Sequence, residues 1–225
     1  MRSLEQVHKY FNREADRFDA IYDQEKPVAQ RLGDWIFRRV ILERYSLVIN
    51  SIGAGESTLL DVGCGPGRYG IELARRGASR CLGVDVAEEM ISIARREASV
   101  HGVSDRCIWQ IGDWLGTPIE GPFDAVTAMG YFDYLEDPRA HLEKMLAHCG
   151  GRLFASFPKR WTIRTALRRA RFGLRGGFVR FYSRREIVDL FRAAGDLRCL
   201  ALVDLGRDYI AIYDRGSERR LSLRP

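Results

Sequence analysis

What the chain lacks narrows it first. No stretch approaches 18 consecutive apolar residues, so no membrane-spanning helix is expected. The opening Met1-Arg2-Ser3-Leu4-Glu5-Gln6 has no apolar run of the kind a secretory leader carries. The five cysteines (Cys64, Cys81, Cys107, Cys149 and Cys199) are odd in number and include no C-x-x-C pair. Several fall in strand-like runs, which predicts buried thiols in a reducing compartment, no zinc site and no other metal. There is no internal repeat and no low-complexity tract. A cytoplasmic protein is expected, with peripheral membrane contact as the variant.

What is present reads as soluble and globular. The 225 residues are 46% hydrophobic and 29% charged, enough for one generous domain. The net charge of +6 is uneven: Lys159 to Arg185 holds ten Lys and Arg and no acid, which leaves the rest of the chain at −4.

The central stretch is Leu59-Leu60-Asp61-Val62-Gly63-Cys64-Gly65-Pro66-Gly67. Its leucines and valine suit a strand covered on both faces, and a helical segment begins at Tyr69. Glycines let the backbone turn sharply and let a ligand approach, and the helix N-terminus offers unpaired N–H groups. A strand–helix turn without a ligand is the plainer alternative. The dinucleotide fingerprint G-x-G-x-x-G is not met, because its third glycine is replaced by Arg68. Asp61, two residues ahead of Gly63, would repel a pyrophosphate and attract a cationic ligand with a free amino group. S-adenosylmethionine, with an ammonium and a sulfonium, is such a ligand.

The chain in order gives alternating elements. Residues 4–22 predict an amphipathic helix with Val7, Tyr10, Phe11, Phe18, Ile21 and Tyr22 near one face. A second helix follows Pro27 and ends by Gly53-Ala54-Gly55. Both could cover a sheet edge, or the first could close over a cofactor as a lid that excludes water. Cys81–Val86 is a second strand ending near Asp85, 22 residues beyond Gly63, where an acid can accept both hydroxyls of a ribose. Glu88–Ser99 is a helix with Met90, Ile91 and Ala94 inside; Met90 could be core or touch an adenine face. Cys107–Ile111 is a third strand, and Gly112-Asp113-Trp114 after it offers an acid and an aromatic for adenine, or a capped turn. Phe123–Met129 is the fourth strand, opening at Gly130–Tyr134 where open α/β sheets bind ligands. Asp137 caps a helix that stops at Gly150-Gly151, and Leu153–Phe157 is the fifth strand. After a basic helical segment bearing Arg164, Arg168, Arg171 and Arg175, a capping box from Ser183 to Glu186 opens another helix. Leu200–Leu205 and Tyr209–Tyr213 then form a hairpin.

These residues resemble the class I S-adenosylmethionine-dependent methyltransferases. Asp61–Gly67 looks like the family's first motif, Asp85 like its ribose-binding acid, Gly112-Asp113-Trp114 like its adenine-binding stretch and Phe123–Val126 like the strand before the acceptor site. The opening Tyr10-Phe11-Asn12 with Phe18 and Ile21-Tyr22 is similar to magnesium-protoporphyrin O-methyltransferases, in which the corresponding Tyr closes over the cofactor. Many relatives carry a His where Tyr134 stands, so a His-dependent mechanism does not transfer to that position. The resemblance implies an α/β, Rossmann-like, doubly wound seven-stranded sheet with an antiparallel last strand, N-terminal helices and a basic helical cap insert. It implies one domain over 1–215: a helical lid at 1–55, a cofactor core at 56–157, the cap insert at 158–182 and a helix with hairpin at 183–215. Residues 216–225 read as a polar tail.

The expected cofactor is S-adenosylmethionine, with S-adenosylhomocysteine as product. Its expected contacts are Tyr22, Asp61, Gly63, Cys64, Gly65, Asp85, Val86, Met90, Gly112, Asp113, Trp114 and Met129. The expected reaction is methylation, at oxygen, of a small anionic or amphiphilic acceptor held by Arg164 and Arg168. Candidates for a base are Tyr134, Tyr131 and His141, although His141 and His148 also suit an ordinary helix surface. Residues 159–185 could instead meet an anionic membrane surface or only solvent, and specific nucleic-acid binding is not expected. A nicotinamide-dependent oxidoreductase and a non-catalytic S-adenosylmethionine-binding protein remain as alternatives.

Overall fold

The computed structural model describes residues 42–52, 57–160, 179–195, 197 and 200–216. Residues 42–51 form helix α1. Then come β1 (Thr58–Val62), α2 (Arg68–Arg75), β2 (Arg80–Asp85), α3 (Glu88–Val100), β3 (Cys107–Ile111) and β4 (Phe123–Ala128). A short 3-10 turn (Phe132–Tyr134) precedes α4 (Arg139–His148), β5 (Cys149–Pro158), α5 (Arg184–Ala194), β6 (Leu200–Asp204) and β7 (Asp208–Asp214). The expected lid helix at 4–22, the start of the second helix, and the insert's arginines at 164–175 lie outside the described residues.

The seven strands lie in the order β3-β2-β1-β4-β5-β7-β6. β1 to β5 pair in parallel, and β7 runs antiparallel between β5 and β6. The expected sheet is therefore present, with its one reversed strand, β7, slotted between β5 and its hairpin partner β6. Side chains alternate faces along a strand, and the two faces carry separate cores. Leu59 of β1 packs with Val48 and Ile49 of α1, Leu73 of α2 and Ile91 of α3. Its neighbours Leu60 and Val62 pack with Leu142 and Met145 of α4 and Ile187 and Phe191 of α5. Each such side chain, fully buried, contributes roughly 1.5–3 kcal/mol. Helices thus cover both faces, as a doubly wound sheet requires.

Local signals set several boundaries. Asp137 Oδ1 accepts the Arg139 N–H at 3.1 Å to open α4. At α5 both halves of the capping box form: Ser183 Oγ accepts from the Glu186 N–H, and Glu186 Oε2 accepts from the Ser183 N–H at 2.8 Å. Gly150-Gly151 is a correction, because α4 has already ended at His148 and both glycines lie inside β5. Opposite them the register slips, with Phe123 facing Cys149 but Ala125 facing Arg152. The extra β5 residue makes a bulge, and a Cβ on Gly151 would collide with the Asp124 carbonyl oxygen.

Candidate active site

The strand order reverses between β1 and β4, and a parallel sheet binds ligands at the carboxyl ends beside that reversal. The loop after β1 is the glycine stretch. Gly63, Gly65 and Gly67 all have positive φ (68°, 53° and 75°), a conformation other residues rarely adopt. The loop is tied to β2, since the Gly63 and Cys64 N–H groups donate to the Val84 carbonyl at 2.8 and 3.2 Å. A Cβ on Gly65 would meet nothing within 4 Å, so the loop presents bare backbone to open space.

Beneath the loop lies Asp61, 2% exposed. One carboxylate oxygen accepts from Thr127 Oγ1 at 2.7 Å, and the other, fully buried, has no partner among the described residues. Burial pushes its carboxyl up to about 7; the Thr127 hydrogen bond works the other way and nearby Asp85 adds to the rise. A buried acid with an unused oxygen calls for a cation or a donor. Burial, with Asp85 and Asp61 nearby, likewise raises the Cys64 thiol well above its ordinary range.

Asp85, at the end of β2, links two turns. Its Oδ2 accepts from the Gly65 N–H at 2.8 Å and its Oδ1 from the Ala87 N–H at 2.9 Å. Ala87 and Met90 form a small apolar cluster with Ile93, apart from the two main cores. Gly112 donates to the Asp85 carbonyl at 2.9 Å, which brings the β3 loop alongside. Asp113 holds a turn, accepting from the Gly116 N–H through Oδ2 and from the Thr117 N–H and hydroxyl through its carbonyl.

Trp114 is a correction. It is 2% exposed, its Nε1 donates to the His141 carbonyl at 3.1 Å, and the Lys144 ammonium stands 4.6 Å above its ring. It is a core residue that holds α4 against the β3 loop, without a free face for adenine. His141 is the second correction: it is 8% exposed and faces inward, where a helix surface was the expectation. Its Nδ1 lies 2.7 Å from the Tyr131 hydroxyl. His148 is only half-buried, with Nδ1 3.0 Å from the Gly121 carbonyl. Tyr131 sits across the glycine loop, its ring 2.7 Å from where a Cβ on Gly63 would stand. Met129 is buried at the end of β4, Val86 is half-buried just past β2, and Tyr134 is half-buried at the end of the 3-10 turn. Tyr22, Arg164 and Arg168 lie outside the described residues.

Some positioning residues were missed by the sequence reading. Trp109 of β3 lies across β2 at Gly83, its register partner. A Cβ on Gly83 would stand 2.5 Å from Trp109 Cε3 and 2.8 Å from Cys64 Sγ. On Gly67 it would stand 2.5 Å from Trp109 Cη2, and on Gly70 3.0 Å. The indole therefore fills the close strand–helix approach that a third fingerprint glycine would otherwise shape. A lone glycine inside a strand was the available signal.

The described flanks of the basic segment meet at the same end of the sheet. Tyr182 N–H donates to the Pro158 carbonyl at 2.8 Å, and Arg160 N–H to the Tyr182 carbonyl at 3.1 Å. Arg180 N–H donates to the Asp133 carbonyl, Arg180 Nη1 to the Glu136 carbonyl at 2.6 Å, and the Tyr182 hydroxyl to the Phe132 carbonyl at 3.0 Å. The exit of the insert is thereby stapled to the loop after β4. Arg44 of α1 also reaches this end, donating to Ser156 Oγ, which in turn accepts from the Gly130 N–H at 2.7 Å. Among the described residues no group of three or more His, Cys, Asp or Glu could hold a metal, and no helix is long and apolar enough to cross a membrane.

Comparison with known proteins agrees with this geometry. Residues 59–151 match a family model described as a methyltransferase domain. The ubiquinone biosynthesis O-methyltransferase of Xylella fastidiosa (strain 9a5c) is 34% identical over 116 residues, covering 50% of this chain and 46% of that protein. The ajmaline N-methyltransferase of Rauvolfia serpentina is 29% identical over 89 residues, 39% of this chain and 31% of that one. The chain thus spans 46% and 31% of these two relatives' lengths. Magnesium protoporphyrin IX methyltransferase from Synechocystis PCC 6803, solved with bound S-adenosylhomocysteine, superposes with a TM-score of 0.70 at 22% identity, over 93% of this chain and 98% of that one. Geranyl diphosphate C-methyltransferase from Streptomyces coelicolor A3(2) gives 0.69 at 18%, over 96% and 98%. These two carry the fold. Residues 59–151 are thus a methyltransferase domain, and the reversed seventh strand completes a sheet like that of the S-adenosylmethionine-dependent methyltransferases.

Proposed function

We propose that the protein transfers a methyl group from S-adenosylmethionine to oxygen on a small anionic or amphiphilic acceptor. The carrying observation is the buried Asp61 carboxylate with an unused oxygen under the bare glycine loop. That charge suits an amino-acid ammonium and opposes a pyrophosphate, which disfavours a nicotinamide cofactor. Asp61 would receive the ammonium, the Gly63–Gly65 backbone the amino-acid end, Asp85 the ribose hydroxyls, and Met90 with Gly112-Asp113 the adenine. Bound there, the cofactor supplies a methyl group activated by its positive sulfur. The protein's part is to orient the acceptor and keep the site dry, which can supply several kcal/mol.

Support for the acceptor class comes from charge and from relatives. The ten cations between Lys159 and Arg185 lie on a segment whose exit is fixed to the loop after β4. The relatives named above include an enzyme of ubiquinone biosynthesis and one acting on geranyl diphosphate, an apolar chain with an anionic head. Label from methyl-labelled S-adenosylmethionine, offered to a fractionated extract of the source cell, should enter an organic-soluble small molecule. Label in protein or nucleic acid would overturn the acceptor class. With the acceptor in hand, replacing Arg164 and Arg168 by Ala should raise its KM about tenfold, as losing a charge-assisted contact of roughly 1.5 kcal/mol would. The affinity for S-adenosylhomocysteine should not move. Unchanged acceptor kinetics, with the same variant losing binding to anionic vesicles, would assign the segment to a membrane surface.

A further inference from the structure

We propose that Tyr131 and His141 form a proton relay that ionises the acceptor hydroxyl, Tyr131 touching the acceptor and His141 storing the proton. The inference rests on oxygen being the methylated atom.

Geometry supports the two roles. Tyr131 follows β4, lies against Gly63 on the cofactor loop, and is half-buried. His141 stands behind it on the first turn of α4, 8% exposed, with its Nδ1 2.7 Å from the phenol oxygen. The turn is fixed at both sides, by the Asp137 cap and by the Trp114 indole on the His141 carbonyl. Other acids nearby have work already: Asp61 lies under the loop, and Asp113 closes its own turn.

The charges fit as well. Burial holds His141 below its ordinary range and, with Asp113 and Asp85, holds the Tyr131 phenol well above its own. At neutral pH the resting pair is uncharged, with the phenol donating to Nδ1 and the imidazole proton on Nε2. The carboxylates of Asp113 and Asp137 pull the other way on His141 and so favour the imidazolium once it forms. In the step itself the acceptor proton passes to the Tyr131 oxygen as the phenol proton passes to His141 Nδ1. The acceptor oxygen forms its bond to the methyl carbon, and the carbon–sulfur bond breaks with its electron pair left on sulfur. The net product is one methyl ether, one neutral thioether and one proton on His141, later lost to water.

A series of phenols tests it, from pentafluorophenol, ionised at neutral pH, to 4-methylphenol, which is not. His141→Gln, which can still accept from the phenol, and Tyr131→Phe should each lower kcat/KM about 100-fold for 4-methylphenol, the usual scale of general-base catalysis. Pentafluorophenol, which arrives ionised, should lose far less than 4-methylphenol in both variants, and S-adenosylhomocysteine affinity should stay within about twofold. The acid limb of the wild-type pH profile should vanish in His141→Gln. Nitrogen-15 NMR of the free protein should show the Nε2–H tautomer of His141 titrating below the ordinary histidine range. Equal losses for every phenol, or a His141 protonated at neutral pH, would overturn the relay alone. A wild-type protein that binds S-adenosylhomocysteine yet methylates no phenol would overturn the oxygen reading, and the relay with it.

Discussion

Replacing Asp61 with Asn should stabilise the free protein and weaken S-adenosylhomocysteine binding about 10- to 100-fold, the range for losing a hydrogen bond to a charged group. The two effects have one cause. In the fold the Asp61 carboxyl sits at about 7, against an ordinary 3.8. A raised folded value means the proton is held more tightly when folded. Its stabilising contribution is therefore complete in acid, below the unfolded value, and is lost as pH rises through about 7. Asn carries no charge to bury, so its variant should show a higher melting temperature above neutrality and a flatter pH dependence. An ammonium bound to Asp61 favours the carboxylate, so wild-type affinity should rise with pH through the same region, and binding below it should release a proton. Calorimetry at about one pH unit to either side, in buffers of different ionisation enthalpy, reads both. An Asn variant with wild-type affinity and pH dependence would remove Asp61 from the site.

Gly83→Ala should cost about 2–3 kcal/mol, the upper part of the range for overpacking a buried position. The new methyl would lie 2.5 Å from two carbons of the Trp109 ring and 2.8 Å from Cys64 Sγ. Trp109 is 7% exposed and also abuts Gly67 and Gly70, so it cannot move without disturbing the glycine loop. Trp109→Leu alone should also destabilise, by leaving a cavity. The pair together should cost clearly less than the sum, because Leu vacates the space the methyl needs. Denaturant midpoints for the four proteins measure the coupling, and strict additivity would show that Trp109 does not set the requirement for glycine at 83.

Those two positions also mark where the sequence was readable. The placement of Asp61 in β1 and of Asp85 at the end of β2 beside the glycine loop was legible because their spacing to Gly63 is fixed by a strand, a turn and the next strand, all local. β3 at Cys107–Ile111 and the Ser183–Glu186 capping box were legible for the same reason: a run and a cap act over a few residues. Trp109 was not, since its role depends on which strand lies beside it and on the glycine in register there. His141 and Trp114 were misplaced for a related reason. Single-residue polarity suggests a helix surface for one and a ligand face for the other. The tertiary packing of α4 against the β3 and β4 loops instead buries both and gives each a hydrogen bond. Gly150-Gly151 looked like a helix stop, yet the glycines lie at a bulge of their own strand, β5, where it pairs with β4.

The most direct test of the cofactor assignment is to titrate the purified protein with S-adenosylhomocysteine and, separately, with NADH, by calorimetry. The expected result is saturable S-adenosylhomocysteine binding at one site per chain, strengthening as pH rises through about 7, and no heat with NADH. Saturable NADH binding without S-adenosylhomocysteine binding would contradict the assignment of the glycine loop and of Asp61 beneath it.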